Sequence, residues 1–287
     1  MANGDHKQHG FEPLHDAHAI EQVVFAIQFQ TELEDPVFKE MCNELDTVAD
    51  DLPKRVDFPG PNLVGPGQSL TLTFGIAPSA IPSPPFGRIY QNIQPDGTVG
   101  NEFRVDRIQI VFRTTRYTRW AETWSRARKY FDVVLPKYVA KSRIAGISLN
   151  YVDKFIWNGA PADCRPSLLL GANSKYLCPL VYESPDLWHS HTGAFIRVDK
   201  HTKRLLNVNV DYLDEQRGGT SRRTIAIGTV LSDLVNQPEF APLDINETSA
   251  VSFFDSRMQQ LHDYGKTIFA NIINDSMSKR IALKAQS

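Results

Sequence analysis

Hydrophobic positions along this chain recur with a spacing that switches between the strand period of 2 and the helix period of about 3.6. Val23, Phe25, Ile27 and Phe29 alternate with Val24, Ala26 and Gln28, which predicts a strand with one strongly apolar face. Phe38, Met41, Leu45, Val48 and Leu52 then follow at helical spacing, with Asp35-Pro36 as N-cap and N1 proline and Pro53 as the stop. A turn-rich loop over 59–68 leads to a strand with Leu70, Leu72 and Phe74 on one face, and four prolines within 76–87 make that stretch irregular. Within 102–113, Phe103 and Val105 have one parity and Ile108, Ile110 and Phe112 the other. One regular strand cannot bury both sets, so a β-bulge at Asp106-Arg107 is expected.

Helical spacing returns from about 118 to 134, with Trp120, Trp124, Ala127, Phe131 and Val134 on one stripe and Arg119, Arg126 and Lys129 away from it. Over 146–157, Ile147, Leu149, Tyr151, Phe155 and Trp157 share a face that Asp153 interrupts. Residues 194–199 and 205–213 form a hairpin around Lys200–Lys203, with 224–231 as its neighbour. A closing helix from 247–249 turns Val251, Phe254, Met258, Leu261, Ile268 and Ile272 inward for some three dozen residues, with Gly265 as a weak point. The predicted fold is α+β: mainly antiparallel sheet packed by three amphipathic helices. Each half holds strands and a long helix. The division expected is therefore a flexible His-rich tail over 1–18, a first lobe over 19–145 and a second, related lobe over 146–287.

Composition narrows the class without naming a function. An apolar share of 41 % with 22 % charged residues excludes broad disorder, and no apolar run is long enough to span a bilayer. The polar opening MANGDHKQHGFEPLHDAH lacks the hydrophobic core of a secretory signal. Three cysteines, Cys42, Cys164 and Cys178, make an odd set with no close pair, as expected of a reduced, cytoplasmic protein.

Charge changes the picture more. Phe103 to Arg143 holds eleven basic residues against three acidic ones, whereas the first sixty residues hold thirteen acidic and four basic, in a chain of net charge −2. Such polarisation suits an anion-binding face built from Arg113, Arg116, Arg119, Arg126 and Arg128, with Tyr117, Trp120 and Trp124 able to stack. The competing account has the tryptophans in the core and the arginines paired with the acidic first third.

Asp153 is the sharper candidate. A carboxylate on an apolar strand face must be paired, hydrogen-bonded or protonated, and Arg107 is its expected partner, as a structural ion pair or as part of an active site. His262 on the closing helix is a third candidate for such a site. His15-x-x-His18 and His189-Ser190-His191 have ligand-like spacing, but neither gathers a third ligand, so no metal and no cofactor is expected. There is no Gly-x-Ser-x-Gly elbow, and the glycines of 60–67 alternate with prolines ahead of a strand, a poor phosphate cradle.

Five short motifs, in this order, resemble a sporadically distributed bacterial family of uncharacterised cytosolic proteins. They are Ala19–Phe29, Val105-Asp106-Arg107-Ile108, the aromatic helix from Trp120 to Pro136, Tyr151–Phe155, and a closing helix with His262 and Phe269. The chain departs from that pattern at Asp153, where Asn is expected, and near Phe112, where a Trp is expected. The resemblance implies an accessory protein and no established reaction, so it transfers no catalytic residue. Three functional readings stand at this point. The first is a non-enzymatic module offering its arginines to nucleic acid or an acidic protein surface. The second is an enzyme acting on a phosphorylated small molecule or nucleic acid, and the third a homo-oligomeric structural component.

Overall fold

The alternating segments pair into one antiparallel sheet of ten strands in the computed structural model, which describes residues 10–59, 85–217 and 219–283. The strands are β1 (Phe11–Pro13), β2 (Ile20–Phe29), β3 (Lys54–Phe58), β4 (Gly87–Ile93), β5 (Val99–Asp106), β6 (Gln109–Thr114), β7 (Ile144–Trp157), β8 (Trp188–Arg197), β9 (Thr202–Arg217) and β10 (Thr220–Val235). Their order is β3-β4-β5-β6-β2-β7-β10-β9-β8, with β1 added to β7. The helices are α1 (Asp35–Val48), α2 (Trp120–Val139), α3 (Leu180–Glu183), α4 (Glu247–Ile272) and α5 (Asp275–Arg280). The protein is thus α+β, with three long amphipathic helices, and no described helix is long and apolar enough to cross a membrane.

The two halves trace the same path. Outward from β2 lie β6, β5 and β4; outward from β7 lie β10, β9 and β8; and each half closes with a long helix, α2 or α4. The halves meet where β2 pairs with β7, setting Val23, Phe25 and Ile27 against Tyr151, Leu149 and Ile147. All six are buried on the face the helices cover. On that face α2 and α4 run antiparallel: Trp120 stacks on His262, Trp124 donates Nε1–H to Asp255 at 2.7 Å, and Phe131 packs on Phe254. The hydrogen bond to Asp255 lets the Trp124 indole sit in the core with its polar atom satisfied.

Three sequence expectations are corrected. The parity change at Asp106-Arg107 is a tight hairpin turn and not a bulge: β5 ends at Asp106, β6 begins at Gln109, and Phe103 faces Phe112 across the pair. No Gly or Asn marks this turn. Asp106 closes it by accepting the Ile108 N–H at 3.1 Å, and the outward carbonyls of Ile108 and Arg107 accept from Phe29 and Leu33. The closing helix stops at Ile272 after 26 residues, and α5 follows; buried Gly265 leaves α4 unbroken. Residues 10–18 are not a tail, because β1 adds to β7, Phe11 packs edge-on against Trp157, and His15 and His18 exchange backbone hydrogen bonds. The loop at 60–68, the strand of Leu70–Phe74 and most of the proline-rich stretch lie outside the described residues.

Opposite charges of the polarised first half meet along α1 and α2. Lys137 pairs with Glu40 and Glu44 at 3.0 and 2.7 Å, Lys129 with Asp50 and Asp51 at 2.8 Å, and Arg107 with Asp35. In the second half, buried Asp233 takes a two-pronged grip from Arg204 at 2.6 and 2.9 Å and a longer contact from Arg257 on α4.

The C-terminal end of α5 turns back in a Schellman motif. Leu283 N–H donates to Ser278 O and Ala282 N–H to Lys279 O, with Ala282 at φ +52°. Glycine normally fills this left-handed position, since a Cβ there costs about 1–2 kcal/mol. Ala282→Gly is therefore expected to raise the unfolding free energy by about 1 kcal/mol in denaturant melts; an unchanged or lower stability would refute the strain.

Candidate functional site

The apolar helix face is broken at one end of the β2–β7 junction. There Asp153 of β7 stands opposite Ile20 of β2 and Ile227 of β10, among neighbours that are otherwise aliphatic or aromatic. β2 carries a bulge at this point: its register shifts between Ile20 and Gln22, so Glu21 is the extra residue. Glu21 and Glu215 both accept from Lys154 Nζ, at 2.7 and 2.9 Å. The bulge thus turns one charged pairing away from the core while Asp153 faces inward.

Asp153 borders a cavity of about 240 Å³. Ile20, Tyr151 and Thr229 form its floor with Asp153, and His262, Gly265, Lys266 and Phe269 of α4 its roof. The start of α2, with Tyr117, Arg119 and Trp120, makes one side; His18 and residues 281–283 close the others. Both described ends of the chain are tied together here, where Arg280 donates to Phe11 O at 3.1 Å. Gly265 keeps the roof thin over Tyr151 and Leu231.

The polar groups of this cavity are unusual in their partners. Asp153 is 4 % exposed and makes no hydrogen bond or ion pair among the described residues; burial alone pushes its carboxyl up to about 8. Thr229 is equally buried, and its Oγ1 has no hydrogen-bond partner among the described residues. His262 lies parallel to Trp120 at 4.0 Å between ring centres, and its Nδ1 is 2.9 Å from Tyr151 Oη. Burial first, then nearby Lys266, holds its pKa down to about 4. His18, packed edge-on against Tyr117, is held to about 4 by burial and then by His15. Tyr151 and Tyr117 are pushed upward, mainly by burial. At neutral pH the lining therefore holds a protonated carboxyl, two neutral imidazoles and two neutral phenols, beside the side chains of Arg119 and Lys266.

Of the candidates read from the sequence, Asp153 and His262 come together here and Arg107 does not. Arg107 sits in the β5–β6 turn, paired with Asp35 and donating to Leu33 O at 3.1 Å, so the expected Arg107–Asp153 ion pair is absent. The five arginines do not share one face. Arg113 lies on the sheet face opposite Phe112, and Arg126 donates to Arg116 O at 3.2 Å. Arg128 pairs with Asp132 and Asp255, and Arg119 stands at the cavity. His189 contacts Asp211 at 2.5 Å on the far edge, and among the described residues no group of three or more His, Cys, Asp or Glu is placed to hold a metal. Sequence reasoning passed over Thr229 and Lys266. Thr229 interrupts the face of Ile225, Ile227 and Leu231 as Asp153 interrupts its own, a signal available in the alternation.

Comparison with protein-family models, with curated proteins and with solved structures yields no match, so the site is interpreted from its own chemistry.

The shifts give stability a signed pH dependence. Between about pH 4 and 6.5 the unfolded chain holds two protons on His18 and His262 that the native state lacks, while the native state holds the one on Asp153. Stability from these groups therefore rises with pH in that window. From about 6.5 to 8 only the Asp153 difference remains, and stability falls. Unfolding free energies from pH 5 to 9 are expected to show this fall in wild type and to lose it in Asp153→Asn; an equal fall in both would refute the assignment.

Proposed function

We propose that the protein binds a small planar heteroaromatic molecule in this cavity and reads its hydrogen-bonding edge with Asp153 and Thr229. The observation that carries the reading is the buried Asp153 carboxyl, which faces a cavity and has no partner among the described residues. A protonated carboxyl offers a donor and an acceptor side by side, which complements the amide-like or amidine-like edge of a heterocycle. Trp120, Tyr117 and Phe269 offer ring faces and edges around it. The cavity's 240 Å³ falls just under the ~300–1,000 Å³ of sites for drug-sized ligands, which sets the ligand's size. Within this reading His262, fixed between Trp120 and Tyr151, is a wall of the site, and no chemical step is assigned to it.

Free purine and pyrimidine bases and their nucleosides, titrated while following tryptophan fluorescence and heat, test the reading. At least one is expected to bind and to perturb Trp120. Asp153→Leu is expected to abolish that binding and to raise stability at neutral pH by about 1–3 kcal/mol, the cost of an unsatisfied buried polar group. Thr229→Val is expected to weaken binding about tenfold. Binding by Asp153→Leu at wild-type affinity, or no binding by any probe, would sink the proposal.

A further inference from the structure

Arg119 and Lys266 are the arginine and the lysine of the cavity lining, and neither makes an ion pair among the described residues. This sets them apart from the nearby basic residues Lys129, Lys137 and Arg128, each of which meets a carboxylate. Arg119 is exposed, and its side chain's hydrogen bond among the described residues goes to Ala17 O at 3.3 Å; Lys266 is half-buried on α4, one turn beyond His262. Arg119 is also the N-cap of the twenty-residue α2, so the positive end of a long helix opens at the same wall. Among the described residues Asp153 is the one acid in the lining, and Asp263, beside His262 on α4, is engaged by Gln259 at 3.1 Å. The cavity is therefore bipolar in chemistry: an uncharged, unpartnered hydrogen-bonding floor of Asp153 and Thr229, aromatic sides, and cations where the chain begins α2 and crosses it with α4.

From this juxtaposition we infer that the ligand is a mononucleotide, its base edge on Asp153 and Thr229 and its phosphate held by Arg119 and Lys266. The inference rests on the heteroaromatic reading above and adds the anionic group. Guanidinium and ammonium groups are suited to phosphate oxygens, one as a fork and the other as a point charge. A cavity of 240 Å³ has the room of about eight waters at ~30 Å³ each, enough for the ring system, while the phosphate remains near solvent.

The experiment is calorimetric titration of the full chain with the four ribonucleosides and their 5′-monophosphates, at low and at high salt. A monophosphate is expected to bind about tenfold more tightly than its nucleoside at low salt, as charge-assisted contacts imply, with the gain shrinking as salt rises. Arg119→Gln/Lys266→Gln is expected to lose that gain, with its nucleoside affinity as the internal reference. The charge-preserving pair Arg119→Lys/Lys266→Arg is expected to keep most of it. Nucleoside binding with no gain from the phosphate, or a gain that survives in the neutral double variant, overturns the mononucleotide assignment and leaves the base-edge reading standing. Failure of every nucleoside and monophosphate to bind overturns both.

Discussion

The pairing of β2 with β7 is the joint on which the other features depend. Each half of the sheet has a first strand at its inner edge, a meander returning from the outside, and a closing helix. Alone, each half would present an unpaired inner edge and a helix covering only its own strands. Joined through Val23, Phe25 and Ile27 against Tyr151, Leu149 and Ile147, the edges satisfy one another, and α2 and α4 come to lie side by side over the junction. The cavity lies at one end of that junction. Its floor comes from β2, β7 and β10, and its walls from the start of α2 and the second half of α4, so neither half contains the site by itself. Sites at the meeting of two packed units are a common outcome of such architecture.

Part of the charge polarisation resolves inside the first half, where Arg107, Lys129 and Lys137 meet acidic residues of the first sixty. Acidic residues of α1 and the turn after it face basic residues of α2 in an antiparallel arrangement, Glu40 and Glu44 with Lys137, Asp50 and Asp51 with Lys129. Such exposed pairs contribute roughly 0–1 kcal/mol each, so they set the register of α1 on α2 more than they stabilise it. Their consequence for function is subtractive. Of the basic residues that make no ion pair among the described residues, Arg113 lies on the opposite sheet face, Arg116 and Arg126 contact one another, and Arg119 stands beside the cavity.

Legibility in the sequence followed how local each determinant is. β2, β7, α2 and α4 carry long, clean apolar periods, and their identity was plain from spacing alone. The turn after Asp106 was opaque, because it uses an aspartate side chain and tertiary hydrogen bonds from Phe29 and Leu33 where a Gly or Asn signal would be sought. β4 and β5 were separable in principle: Pro95-Asp96-Gly97 is a turn sequence, and Gly97 takes φ +83°. Asp153 was legible as an anomaly, but its partner was not. Burial of a carboxyl is visible in alternation, whereas the distance from β7 to the β5–β6 turn is set by strand order, which no local pattern encodes.

Two buried aspartates on the helix-covered face show what is particular about the site. Asp233 and Asp153 are both enclosed by the same sheet and the same helix α4. Asp233 meets Arg204 through two hydrogen bonds and Arg257 through a third, the full complement that makes burial of a carboxylate tolerable. Asp153 has none of these among the described residues, and Thr229, two residue pairs away along β7 and β10 on the same face, is left equally open. Each unmet group costs about 1–3 kcal/mol, and the neighbouring positions are filled by residues with nothing to satisfy. The same fold thus supplies partners to a buried carboxyl where the role is structural. Withholding them from two adjacent positions, next to space large enough for a ring, leaves the missing hydrogen bonds to water or to a ligand that displaces it.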